Sequence, residues 1–151
     1  MNILTLARES LIARLSEVTQ DNGFLTNAGL AVRSGWFNEI IKSDDVSFPL
    51  IVVQKGRDAA PEPGPCALKL QRAFYVFGAV EADMDDYDEA LENVELDILR
   101  ALIPFGGQHL PWAPQGVSKI EFGTPEHVPP GSGESAACVL IPIQLSVVIR
   151  E

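Results

Sequence analysis

Histidine, cysteine and tryptophan are scarce in this chain, with two of each among 151 residues, and basic side chains are few. Each scarcity excludes something. His109 and His127 stand apart, with no H-x-x-x-H or H-E-x-x-H pair and no Cys/His cluster, so a structural zinc has no ligand set. Cys66 and Cys138 show neither metal nor redox spacing and no papain-like or caspase-like neighbourhood, and they read as free, reduced thiols of a cytosolic chain. Lysine and arginine number 11 against 21 acidic residues, giving a net charge of −10 with no basic run. That excludes a protein that grips nucleic acid by neutralising phosphates. The longest apolar stretch, Ala136 to Ile149, is broken by Pro142, Gln144 and Ser146 and falls short of the roughly 20 residues of a membrane helix. Arg8 and Glu9 interrupt the amino-terminal apolar stretch, so no secretory leader is expected.

Catalytic motifs are missing as well. Gly131-Ser132-Gly133-Glu134-Ser135 lacks a serine with glycine two residues to either side, and a strand pattern follows where a nucleophile elbow needs a helix. Gly106-Gly107 lacks the Lys and Ser/Thr of a phosphate loop. Asp83 and Asp85 open like a calcium loop, but Asp88 stands where the turn needs glycine and Val94 where a bidentate Glu is needed. No enzyme, cofactor or metal is expected.

What is present is a hydrophobic fraction of 46%, enough for one domain over residues 1–151 with a substantial core. Leu4, Ala7, Leu11, Leu15 and Val18 share one face of a helix expected over Ile3 to Val18, stopped by Asp21-Asn22-Gly23. A short strand and a loop fit Gly29 to Ile41. Phe48 to Gln54 reads as a strand ended by Lys55-Gly56, and Arg57 to Pro65 as an extended, poorly paired loop. Ala67 to Val80 alternates as a strand whose second half is apolar on both sides, so a helix, a second sheet or another subunit must cover it. Tyr87, Leu91, Val94, Ile98 and Leu102 stripe a helix from about Asp85 to Ile103, capped by Asp83 or Asp85 and stopped by Pro104. Strands follow at Val117 to Phe122 and Ala136 to Arg150, separated by a Gly/Pro-rich excursion, Gly123 to Glu134. Pro142 lacks a ladder donor and predicts a bulge or an edge position. The expected fold is α+β: a two-layer sandwich with a mostly antiparallel four- to five-stranded sheet and two amphipathic helices on one face.

The candidate functional residues are surface ones. Nine acidic residues fall between Glu81 and Asp97, and Asp85, Asp88, Glu92 and Glu95 project along one side of the second helix. That side is either a solvated face or one that meets a basic partner or repels DNA. Trp36 and Trp112 lie near loops, as interface anchors or as caps on the ends of the core.

The layout resembles the tail terminator (tail completion) proteins of long-tailed bacteriophages, the lambda-type minor tail proteins included. The resemblance spans nearly the whole chain. It comprises the helix Leu4 to Val18, the strand FPLIVVQKG at Phe48 to Gly56, the acidic helix YDEALENVELDILRALI with PFGG after it, and the final strand ACVLIPIQLSVVI. It implies a non-enzymatic virion protein assembled in the host cytoplasm. Such a protein forms a homo-oligomeric ring, typically a hexamer, on the head-proximal end of the tail tube. The ring ends tube polymerisation, meets the head-completion connector and lets DNA pass without specific binding, with no membrane, cofactor or metal involved. The two excursions, with Arg57, Pro61 and Pro63 in the first and Pro129 in the second, are expected to dock on neighbouring rings. The alternatives are a small acidic inhibitor or immunity-type protein masking a basic partner, and another phage neck or baseplate component.

Overall fold

A computed structural model describes residues 1–43, 45–82, 86–104, 110–130 and 136–150. Helix α1, Ile3–Leu15, starts where Asn2 Oδ1 accepts the Thr5 N–H at 2.8 Å. It buries Ala7, Leu11 and Leu15 completely, while Leu6 points outward, so its apolar residues are not confined to one stripe. The helix ends three residues sooner than its periodicity suggests. Ser16 Oγ turns back onto the Ile12 carbonyl at 2.8 Å, the competing bond a serine offers a helical backbone. Val18 is still fully buried, and Gly23, at φ +89°, closes a later 3-10 turn, Gln20–Asn22.

After a second 3-10 turn, Ala28–Ala31, come strand β1, Val32–Ser34, and a four-residue helix α2, Phe37–Ile40, where a loop was expected. One turn of helix is too short to show a period. Its anchor is Phe37, whose N–H donates to Gln54 Oε1 at 2.9 Å and whose ring stacks on Phe77 with centroids 4.3 Å apart.

Strands β2 (Leu50–Lys55), β3 (Glu62–Gly64), β4 (Ala67–Glu81), β5 (Val117–Phe122), β6 (Glu126–Val128) and β7 (Ala136–Arg150) join β1 in a seven-stranded sheet. Its main path is β1-β2-β4-β7-β5, with β3 on β4 and β6 on β7. The β1–β2 pair is parallel and the others antiparallel, so the α+β architecture holds but the sheet is mixed and larger than expected. At its centre β4 and β7 stay in register from Ala67↔Arg150 to Glu81↔Ala136. Each of these strands is roughly 50 Å long at about 3.3 Å per residue.

Both excursions carry pairing that composition did not suggest. In the first, Glu62, Pro63 and Gly64 lie against Lys69, Leu68 and Ala67, and Cys66 makes the turn at φ +53°. In the second, Glu126, His127 and Val128 lie against Leu140, Val139 and Cys138. Pro142 is neither bulged nor on an edge strand: it faces Tyr75 in unbroken register inside the sheet. The neighbouring strand is interrupted instead. Between β5 and β6 the Gly123 N–H reaches the Pro142 carbonyl at 2.8 Å, and a Cβ on Gly123 would lie 2.9 Å from Pro142 Cβ. The sheet's one register shift there is in β5, between Val117 and Lys119.

Helices α1 and α3 (Tyr87–Leu102) cover one face. Leu91, Val94, Ile98 and Leu102 of α3 pack with Val76, Ile141, Ile143 and Leu145 of the sheet, all essentially inaccessible to solvent. At about 1.5–3 kcal/mol for each large side chain, this layer is the main source of stability. Asp86 occupies the N-cap position of α3 without a side-chain cap bond, while the expected caps Asp83 and Asp85 lie outside the described residues. At the other end Arg14 Nε donates to the Ala101 carbonyl at 2.7 Å, tying α1 to a terminal acceptor of α3.

Candidate functional site

Among the described residues, helical cover on the opposite face of the sheet is found at one end only. There α2 makes a small second core from Phe37, Leu50, Val52, Ala79 and Cys138. Beyond it the register sets Gln54, Tyr75, Pro142 and Leu140 on the same face, the last three only partly buried. Val128 of β6 lies at the margin, 40% exposed, and Trp36, immediately before α2, is 67% exposed. The strand half that reads as apolar on both sides therefore has helices on one face and an incomplete cover on the other.

This open face runs into an arm formed by β3 and the first residues of β4. Asp58 fixes the arm's root: its carboxylate accepts from Lys55 Nζ at 2.6 Å, the Ala73 N–H at 2.8 Å and Arg72 at 3.0 Å. Partial burial raises its pKa, but the Ala73 N–H and the Lys55 and Arg72 charges outweigh that and hold it below the ordinary aspartate value. Because the folded pKa is depressed, the anchoring is present above the unfolded aspartate range and is lost as pH falls through the folded value. Asp58→Ala should cut hydrogen-exchange protection of the Ala73 amide roughly fivefold at neutral pH, as loss of about 1 kcal/mol implies. The unchanged chain should show the same loss only in acid.

Charge is sorted along the long strands. Lys55 and Arg57, Lys69 and Arg72, Lys119, and Arg150 come from four separate stretches, yet the register of β2, β4, β5 and β7, with Arg57 just after β2, gathers them at the arm end, where Asp58, Glu62 and Glu121 also lie. Arg57, Lys69 and Arg150 form no ion pair among the described residues. At the other end, Glu81 closes β4 and the exposed Asp86, Asp88, Glu89 and Glu92 open α3. Beside them is a groove of about 430 Å³ lined by Leu25, Phe48, Pro49, Val80, Glu81 and Asn93, among others.

The residues singled out from sequence are thus dispersed. Trp36 borders the open face, and Arg57, Pro61 and Pro63 are exposed on the arm. Asp88, Glu92 and Pro129 are exposed, whereas Glu95 is tied to His127, Nε2 to Oε1, at 2.5 Å, which holds β6 against α3. Trp112 packs on the main core, and its indole N–H has no partner among the described residues. Asp85 and His109 lie outside the described residues. Asp97, counted in the acidic stretch but not on its exposed side, is fully buried beneath the 24–28 loop.

Among the described residues no group of three His, Cys, Asp or Glu is placed to hold a metal, and no helix is long and apolar enough to cross a membrane. No protein-family model matches the sequence, and comparison with curated proteins gives no match. Among the described residues the arrangement comprises a sheet face with partial helical cover, an arm end rich in basic side chains and an acidic end with a groove.

Proposed function

We propose that this chain is a structural, ring-forming subunit of the tail-terminator type. Its ring would cap the head-proximal end of a phage tail tube, end tube growth and present the joining surface for the head connector. The observation that carries this reading is the incomplete helical cover of the sheet among the described residues: Tyr75, Leu140 and Pro142 stay partly exposed on the face opposite α1 and α3, available to pack on another subunit. The sorting of charge supports it, because a patch at one end meeting a different patch at the other is what a closed ring requires. Net negative charge suits a lumen that passes DNA without holding it.

Tyr75→Glu places a charge in the proposed contact at a site already partly solvated. It should abolish self-association in sedimentation velocity while leaving the far-ultraviolet circular dichroism unchanged; undiminished association would overturn this use of the face. The exposed acidic turn of α3 also favours a second reading, an inhibitor that masks a basic partner. That protein would be a monomer or dimer with one tight basic ligand.

A further inference from the structure

The ring reading assigns the partly covered sheet face to a neighbouring subunit but gives no partner to the two ends of β4, and these fit each other. Its first residue, Ala67, belongs to the arm, and its last two, Val80 and Glu81, line the groove. Some 50 Å of continuous strand separates them, so an arm cannot reach the groove of its own chain. We propose that the arm of each copy docks in the groove of the next, in a heterologous contact that rests on the ring-forming reading above.

Charge and shape both fit this occupant. The arm brings Lys69 and Arg150 to the level of β3, where Glu62 lies opposite Lys69, and Arg57 stands at the arm's root between Gly56 and Asp58; these three bases have no ion-pair partners among the described residues. The groove meets them with Glu81 on its wall, no lysine or arginine is among its lining residues, and the exposed Asp86, Asp88 and Glu89 precede its lining residue Ala90 along the chain. The arm is also apolar where the core would have ended. Pro63, Leu68 and Ile149 lie side by side across β3, β4 and β7, two residues beyond the partly buried Leu70 and the buried Val147, and Leu68 and Ile149 are 43% and 37% exposed. Leu25, Phe48 and Pro49 supply a matching apolar wall, and about 430 Å³ accommodates a few side chains of a hairpin tip. Because the patches differ and sit at opposite ends, repetition of the contact in one sense closes a ring or extends a filament, whereas reciprocal use between two antiparallel copies would stop at a two-fold dimer. The arm's partner is then the neighbouring subunit, not the neighbouring ring.

The chain supplies its own probe, since Cys66 is exposed at the arm's turn and Cys138 is buried. Asn93 lines the groove, and Asn93→Cys places a second thiol there. Oxidation of this variant at high protein concentration should give a ladder of disulfide-linked multimers on non-reducing gels. The ladder should vanish when Cys66→Ser is added and weaken when oxidation is done in 1 M salt, where the Debye length falls to about 3 Å. Sedimentation velocity of the unoxidised variant separates the two levels of the account. Oligomers without a disulfide between Cys66 and the introduced groove thiol, or linked only through Cys66 on both sides, would overturn arm-to-groove docking and leave ring formation standing. A chain that neither links nor self-associates would overturn both.

Discussion

Replacing Asp97 by alanine should destabilise the fold by about 3 kcal/mol, lowering the thermal midpoint by roughly 6–12 °C for a chain of this size. Asp97 is fully buried in α3, and its carboxylate accepts the Leu25 N–H at 2.9 Å and the Thr26 N–H and hydroxyl at 2.8 Å each. Truncation leaves two backbone donors and a hydroxyl without an acceptor, and the 24–28 segment loses its attachment to the helix. Asp97→Asn is also expected to be costly, because one carboxylate oxygen becomes an amide that presents donors to donors. A fall of less than about 2 °C for the alanine variant would show that water satisfies the loop equally well.

Gly29→Ala should cost at least as much, about 3 kcal/mol or more, read as a lower urea midpoint at unchanged slope. A Cβ at this position would stand 2.6 Å from the Val18 carbonyl oxygen, 2.7 Å from Val18 N and 2.8 Å from the Leu15 carbonyl oxygen. All three are backbone atoms at or just after the end of α1, which cannot rotate aside as a side chain does. The Gly29 N–H also donates to Val18 O at 2.7 Å, so the segment cannot retreat without breaking that bond. A cost below about 1 kcal/mol would mean that the turn after α1 is far softer than this packing implies.

Neither residue could be recognised from sequence, and the reasons are physical. Asp97 stands among nine acidic residues and differs from them only through a loop more than 70 positions away. Gly29 matters because of what approaches it, and a sequence does not record approach. The long elements were legible because they repeat their period often enough: Val117–Phe122 and Ala136–Arg150 have the bounds that alternation predicts, and the stripe on α3 is the one it buries. Helix α2 and strands β3 and β6, of three or four residues each, are too short for any period to show. The candidate surface was half legible. Apolar residues on both sides of β4 pointed to a second cover, and Trp36 was singled out beside it. The basic arm end was invisible, because only the pairing of β4 with β2 and β7 brings residues 55 to 150 together.

The incomplete cover of the sheet and the uneven charge of its two ends support one proposal, a unit that joins copies of itself end to end. Native mass spectrometry of the purified protein, with and without millimolar magnesium, tests this most directly. The account predicts a closed assembly of about six copies with no ladder of larger species, as a ring requires. A chain that stays monomeric in both conditions and binds a single basic partner would contradict it and establish the acidic inhibitor in its place.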